Sequence, residues 1–140
     1  TPNGCGLSPD GRTLYVAETW TGRVWAYDIT APGEVAKAPW PSPNGGRLVA
    51  GVGGFNLFDS MAVDAAGNVC VATLFNPGIT ILSSDGARVR HIPIAGDAYV
   101  TNICFGGKDL KTAYVTLSMT GRLVSLLWDH PGAKLNYLNA

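Results

Sequence analysis

The sequence has few charged residues, and they do not gather into runs. Ten basic and ten acidic side chains cancel over 140 residues, and charged residues make up only 14% of the chain. A protein that binds nucleic acid through its phosphates needs a basic patch or stripe, so the composition argues against that class of partner. Hydrophobic residues account for 46%, which is enough for one domain with a substantial core.

The sequence also lacks a hydrophobic run long enough to cross a membrane. It opens on Thr1-Pro2-Asn3 rather than on a charged and then apolar signal segment. We therefore expect no membrane partner and a soluble, cytoplasmic protein.

Cysteine and histidine are scarce. The three cysteines lack the close pairing of a thiolate metal site, and each stands within an apolar stretch. The two histidines, His91 and His130, have no neighbouring motif that marks them as catalytic partners. These features predict small buried side chains, rather than disulfides, metal ligands or a catalytic thiol, at Cys5, Cys70 and Cys104.

Sustained helical periodicity is absent, because 18 glycines and 9 prolines interrupt the chain. The sequence contains instead an internal repeat of short apolar strands joined by tight turns, with copies that begin near Thr1, Phe58 and Val100. Each copy is roughly as long as a propeller blade, and a self-similar block of this kind is typical of a propeller. The strands of a β-sandwich, which is the alternative all-β fold, do not ordinarily recur in this way.

The repeat predicts an all-β fold, a β-propeller with about three four-stranded blades. The predicted segments are blade 1 at about 2–56, blade 2 at about 57–98, blade 3 at about 99–130 and a C-terminal tail at 131–140. Residues 30–56 are rich in glycine and proline and form an excursion at the rim of blade 1. Residues 47–52 return from it as the fourth strand of that blade.

Oxygen-bearing side chains stand at the head of each copy. Asn3, Asp59 and Thr101 each lie four residues before an equivalent apolar residue, and Asn102 follows Thr101. The first strand of a propeller blade lines the central channel, so these side chains can converge there. One carboxylate with neutral oxygens is the ligand chemistry of a hard divalent cation. The alternative is that they are ordinary turn residues entering a strand, where Asn and Asp are favoured.

Several separated motifs occur in the order found in one family. They are PNGCGLSPDGRTLYVAETWTGRVWAYDI, FDSMAVDAAGNVCVA, TNICFGGKDLKTAYVT and PGAKLN in the tail. Over nearly its whole length the chain resembles the C-terminal half of the SMP-30/gluconolactonase/LRE-like family. The resemblance implies half of a six-bladed propeller, from an enzyme that hydrolyses lactones with one divalent metal at the centre of its channel.

The resemblance also implies roles for single residues. Asn3 matches a metal ligand, and Asp59 matches a residue that is both a ligand and the candidate general base. Thr101 and Asn102 fall in a motif near the channel that would bind substrate. Calcium is the implied cation, with zinc or magnesium as alternatives. Ser60 departs from the glycine usual beside the aspartate, and the family's glutamate ligand belongs to blades that this sequence does not contain.

The expected function is metal-dependent hydrolysis of a sugar lactone or related ester. The expected partners are that small molecule and either a second copy of the chain, as a homodimer, or a missing N-terminal half that completes the ring. The alternative is a non-catalytic propeller scaffold or binding module that has lost the complete metal site. A strictosidine-synthase-like propeller fits the motifs less well.

Overall fold

The structure, a computed structural model, describes residues 1–136 and contains no helix in this part of the chain. Accordingly, no helix long and apolar enough to cross a membrane is found there. Residues 137–140, the end of the predicted tail, lie outside the described residues. The strands are β1 (Pro2–Leu7), β2 (Thr13–Glu18), β3 (Arg23–Ala31), β4 (Glu34–Val35), β5 (Arg47–Gly51), β6 (Leu57–Val63), β7 (Val69–Leu74), β8 (Gly78–Leu82), β9 (Val89–Pro93), β10 (Val100–Gly106), β11 (Thr112–Leu117) and β12 (Arg122–Leu127).

The strands form three antiparallel sheets that follow one another along the chain. The first sheet has the order β1-β2-β3-β4, with β5 also paired to β3, the second is β6-β7-β8-β9, and the third is β10-β11-β12. The inner strand of each sheet lies beside that of the next, since β6 contacts both β1 and β10. This succession of meandering sheets confirms the predicted all-β propeller fold.

Two sheets depart from the predicted four strands. The chain turns after β3 at Gly33, whose φ of +80° favours glycine, and β4 then pairs back on β3 inside the segment predicted to be irregular. The predicted return strand is confirmed, because β5 pairs with β3. The third sheet has three strands within residues 1–136, because the chain after β12 leaves this sheet instead of pairing along it.

That chain crosses back to the inner strands. The Gly132 N–H donates a 2.9 Å hydrogen bond to the Leu110 carbonyl, and the Ala133 N–H donates a 3.0 Å hydrogen bond to the Val63 carbonyl. The first bond lies beside the third sheet and the second lies at the end of β6. The described part of the tail therefore ties the second and third sheets together.

Two hydrophobic clusters hold the sheets against one another. One cluster includes Tyr15 and Phe58, from the first and second sheets, and the other includes Ile79 and Ile103, from the second and third. Every residue of β8 and nearly every residue of β7 is buried. Successive side chains of a strand point to opposite faces, so both faces of the second sheet are covered. The second sheet is the central blade of the three.

The outer faces of the first and third sheets are open within the described chain. Leu48 on the first sheet is 48% exposed, and Leu123 on the third is 67% exposed. Cys5 and Cys104 are exposed on these same faces, whereas Cys70 is buried, and all three are free thiols. The prediction of buried cysteines is therefore wrong for Cys5 and Cys104. Their strands are apolar, but no sheet formed by residues 1–136 covers the faces on which they lie.

Candidate active site

The three inner strands β1, β6 and β10 each begin with a β-bulge. The pairing of β1 with β2 shifts between Pro2 and Cys5, and that of β6 with β7 shifts between Phe58 and Met61. The pairing of β10 with β11 shifts in the same way at Thr101. A bulge inserts one extra residue into a strand and re-aims the side chains beside it. The same irregularity thus recurs at the same place in all three sheets.

The bulges contain the residues predicted to form the site, and the structure brings two of these residues together. The Asn3 side chain of β1 lies beside the carboxyl of Asp59 in β6, and its polar interaction with that carboxyl lowers the pKa. The backbone N–H of Ser60 also lowers the pKa of that carboxyl. Asn3 and Asp59 are 56 positions apart in the sequence, so their contact depends on the packing of two successive sheets.

The environment of Asp59 suits a cation. Burial raises the pKa of its carboxyl, and the Asn3 side chain and the Ser60 N–H oppose this effect without cancelling it. A carboxylate that is partly withdrawn from water is stabilised by a positive charge beside it. The carboxylate and the amide oxygen of Asn3 are the hard donors that calcium and magnesium prefer. The chemistry of the pair therefore fits a divalent cation.

Thr101 and Asn102 form hydrogen bonds within their own sheet. The Thr101 Oγ1 lies 2.9 Å from the Thr116 Oγ1, and the Asn102 Oδ1 accepts a 2.8 Å hydrogen bond from the Ile103 N–H. Among residues 1–136, neither side chain bonds to the Asn3–Asp59 pair. Asn102 is exposed, so its amide N–H groups can donate to a ligand in the channel.

The described chain supplies only part of a metal site. No group of three or more His, Cys, Asp or Glu side chains that could hold an ion occurs between residues 1 and 136. Asn3 and Asp59 fit in ligand type, yet calcium takes roughly six to eight oxygen ligands. Water, substrate or residues outside this part of the chain would have to provide the others.

An aromatic cluster lies at the same end of the sheets. The ring centroids of Phe55 and Phe75 are 5.3 Å apart, and those of Phe75 and Tyr99 are 5.2 Å apart. Leu74, which precedes Phe75, forms a bridge with Tyr99 and pairs with the start of β6. The rings come from three separate loops, so no local motif indicates the cluster in the sequence.

A cavity of about 550 Å³ lies further along the inner strands. Its lining includes Cys5, Met61 and Cys104 of the three strands, together with Lys134 of the tail. The four predicted site residues do not line it. The cavity and the bulged strand heads are therefore separate features of the channel surface.

Comparison with known proteins identifies relatives among lactonases. The chain is 30% identical over 117 residues to pentonolactonase XacC of Haloferax volcanii, which covers 82% of this chain and 37% of that protein. It is 30% identical over 129 residues to 6-deoxy-6-sulfogluconolactonase of Pseudomonas putida, and this match covers 92% of this chain and 42% of that protein. The chain thus spans about two fifths of the length of these curated relatives.

A solved structure and a family model match most of the chain. The calcium-binding protein regucalcin of Agrobacterium tumefaciens str. C58 superposes with a TM-score of 0.74 at 19% identity, over 96% of this chain and 50% of that one. This likeness supports the fold alone. The model of the SMP-30/gluconolactonase/LRE-like region matches residues 1–119, and on that extent of match the chain belongs to the SMP-30/gluconolactonase/LRE-like family.

Proposed function

We propose that this chain carries part of the active site of a metal-dependent hydrolase of sugar lactones or related cyclic esters. The observation that carries the proposal is the contact between Asn3 and Asp59, which joins an amide and a carboxylate at the heads of two inner strands. Two relatives at 30% identity are named lactonases, which supports a cyclic ester as the substrate. A small-molecule lactone or ester is accordingly the proposed ligand.

Asp59 is the proposed catalytic base. Its carboxylate takes a proton from a water molecule as the water oxygen bonds to the carbonyl carbon of the lactone. The bond between that carbon and the ring oxygen then breaks, and the ring oxygen takes the proton back from Asp59. The Asn3 side chain and the Ser60 N–H, which both favour the ionised carboxyl, would keep Asp59 ready to accept a proton.

Asn3 and Asp59 are also the proposed metal ligands. A divalent cation bound to their oxygens would polarise the lactone carbonyl and stabilise negative charge on its oxygen. We propose calcium, with zinc and magnesium as alternatives.

Thr101 and Asn102 are the proposed substrate-binding residues. The Asn102 carbonyl oxygen is already bonded to the Ile103 N–H, which turns the amide so that its own N–H groups are the free polar end. Such donors suit the hydroxyl and carbonyl oxygens of a sugar lactone. The Thr101 hydroxyl, bonded to Thr116, would support this part of the strand head.

The open outer faces suggest that the working protein includes further sheets. Leu127 on the third sheet is 88% exposed, and Leu7 on the first is 47% exposed. Leu123 lies on the same face as Leu127, and large apolar side chains exposed together on one face favour an interaction site. We propose that a second copy of the chain or an N-terminal half covers these faces and supplies the rest of the channel.

A non-catalytic scaffold is the second candidate. It is favoured by the small number of ligands, because Asn3 and Asp59 alone would leave most positions around a cation to water. A propeller of this kind would bind a small molecule or a protein at its channel without turning over a lactone.

Calcium titration and lactone hydrolysis test the proposal on the same protein. After removal of bound metal with EDTA, calcium binding is measured by calorimetry and D-glucono-δ-lactone hydrolysis by a pH indicator. We expect Asp59→Asn to lose both. Asp28→Asn is the matched control, because Asp28 is an exposed carboxylate at the opposite end of the first sheet. Unchanged calcium binding in Asp59→Asn would overturn the ligand role. Calcium binding without hydrolysis in the wild type would favour the scaffold.

A further inference from the structure

Three aromatic rings contact one another at the bulged end of the sheets, with planes tilted by 47° between Phe55 and Phe75 and by 65° between Phe75 and Tyr99. Phe55 precedes β6, Phe75 follows β7 and Tyr99 precedes β10. The Phe75 N–H donates a 2.9 Å hydrogen bond to the Ala98 carbonyl, which fixes the β7–β8 turn to the loop that carries Tyr99. We call Phe55, Phe75 and Tyr99 the aromatic platform.

The platform is unfavourable for the fold in two ways. Phe75 has a φ of +64°, the left-handed region that a bulky side chain rarely adopts. The rings are also open to water, since Phe55 is 67% exposed and Phe75 is 46% exposed. Glycine or asparagine would adopt this backbone conformation at lower cost. Non-glycine residues held in sparsely populated conformations cluster at ligand sites, where the surrounding structure maintains them.

Polar groups without charge lie beside the rings. The Asn76 Nδ2 donates a 2.9 Å hydrogen bond to the Asn56 Oδ1, and the Asn56 Nδ2 donates to the Gly53 carbonyl. The Asn76 side-chain oxygen, Oδ1, accepts no hydrogen bond from the described residues and can accept one from a hydroxyl group of a ligand. An apolar ring surface next to a free amide matches a sugar ring, which has an apolar C–H face and polar edges.

We propose that the aromatic platform and Asn76 bind the C–H face of a neutral, polyhydroxylated ring. This inference rests on the proposed function in one respect. Under that function, the ring belongs to a sugar lactone whose carbonyl is directed toward Asp59. The platform and Asn76 carry no charge, so they favour the neutral lactone over the anionic open-chain acid that hydrolysis produces. The platform is thus a determinant of substrate class.

Binding of methyl glucoside tests the platform without any hydrolysis. This neutral sugar ring has no lactone carbonyl, and its dissociation constant is measured by NMR titration in the presence of EDTA. Phe75→Asn removes the ring with a residue that tolerates the left-handed backbone, and Phe55→Leu is a second variant in an exposed loop. We expect each to weaken binding roughly threefold to tenfold, the range that single aromatic contacts contribute. Trp40→Asn, at an exposed tryptophan in the excursion, should bind as the wild type does.

The outcomes separate this inference from the proposed function. Asp59→Asn should still bind methyl glucoside although it loses lactone hydrolysis, which would support the platform as a distinct sugar site. If the wild type binds methyl glucoside through Phe75 and hydrolyses no lactone, the platform stands and the proposed function fails. If the wild type binds no sugar, or if both ring variants bind it with unchanged affinity, the platform inference is overturned.

Discussion

Gly4 packs directly against the main chain of Asp59. A Cβ atom at position 4 would lie 2.7 Å from the Asp59 carbonyl oxygen and 2.8 Å from the Met61 backbone nitrogen. Only a residue without a side chain allows two backbones to approach so closely. This approach brings β1 against β6 at the bulges and sets the distance over which Asn3 reaches the Asp59 carboxylate.

Replacement of Gly4 by alanine should therefore separate the two strand heads. We expect Gly4→Ala to lower the free energy of unfolding by about 1–3 kcal/mol, because backbone atoms cannot move aside as a flexible side chain can. Calcium affinity should fall as well, since the Asn3–Asp59 contact is disturbed. Urea denaturation and calcium titration measure the two effects.

Gly53→Ala is the matched control for this substitution. A Cβ at Gly53 meets nothing within 4 Å, so alanine should be tolerated there. Equal stability of Gly4→Ala and Gly53→Ala would contradict the packing argument. A Gly4→Ala protein that is destabilised but binds calcium with unchanged affinity would contradict the link between this contact and the site.

Much of the fold could be predicted because it depends on local patterns that repeat. The successive strands and turns follow from short apolar runs and glycine-rich turns, and the return strand β5 was expected within residues 47–52. The convergence of Asn3 and Asp59 follows from the same repeat, because equivalent positions of neighbouring blades face one channel.

Other features depend on neighbours that are distant in sequence. Cys5 and Cys70 both stand in apolar strands, but only Cys70 has a sheet packed on its face. The bulges that re-aim Asn3 and Asp59 arise from pairing between strands, which residue periodicity does not encode. The left-handed backbone of Phe75 is likewise unexpected for phenylalanine, because local preference disfavours it.

We expect the hydrogen-bonded carboxylate of Asp97 to make the fold less stable in acid. It accepts hydrogen bonds from the Tyr99 N–H at 2.7 Å and from the Thr120 N–H and hydroxyl at 2.7 and 2.6 Å. Burial alone would raise its pKa, but the hydrogen bonds outweigh burial and hold the pKa below its ordinary value. The stabilisation that Asp97 gives the fold is therefore complete above the pKa that its carboxyl has in the unfolded chain, near pH 4. It is lost as the pH falls through the lower pKa of Asp97 in the folded protein.

We expect Asp97→Asn to be less stable than the wild type at neutral pH, with a difference that shrinks below about pH 4. Thermal melts over a series of pH values measure this. Asp129→Asn is the control, since Asp129 forms an exposed ion pair with Arg90, and such pairs contribute little. A stability difference for Asp97→Asn that does not vary with pH would contradict the role of its ionised carboxylate.

The packing between sheets predicts how two copies would meet if a second copy covers the open faces. Between the first and second sheets, a Cβ at Gly6 would lie 3.3 Å from the Val63 Cγ2 and 3.5 Å from the Met61 Cε. In the repeat, Cys104 of the third sheet occupies the position of Gly6, and Cys5 of the first sheet occupies the position of Met61. A ring closed by the same packing therefore sets Cys104 of one copy against Cys5 of the other.

A short thiol-specific cross-linker should then join two chains covalently. Cys70 should not react, because it is fully buried and burial raises the pKa of its thiol. We expect a covalent dimer on a denaturing gel for the wild type and none for Cys5→Ser or Cys104→Ser alone. An equal mixture of the two variants should recover cross-linking, because a mixed dimer keeps one Cys5–Cys104 junction. A dimer that persists in either single variant would indicate like faces packed together. No covalent dimer from the wild type would contradict the second copy and favour an N-terminal half as the cover.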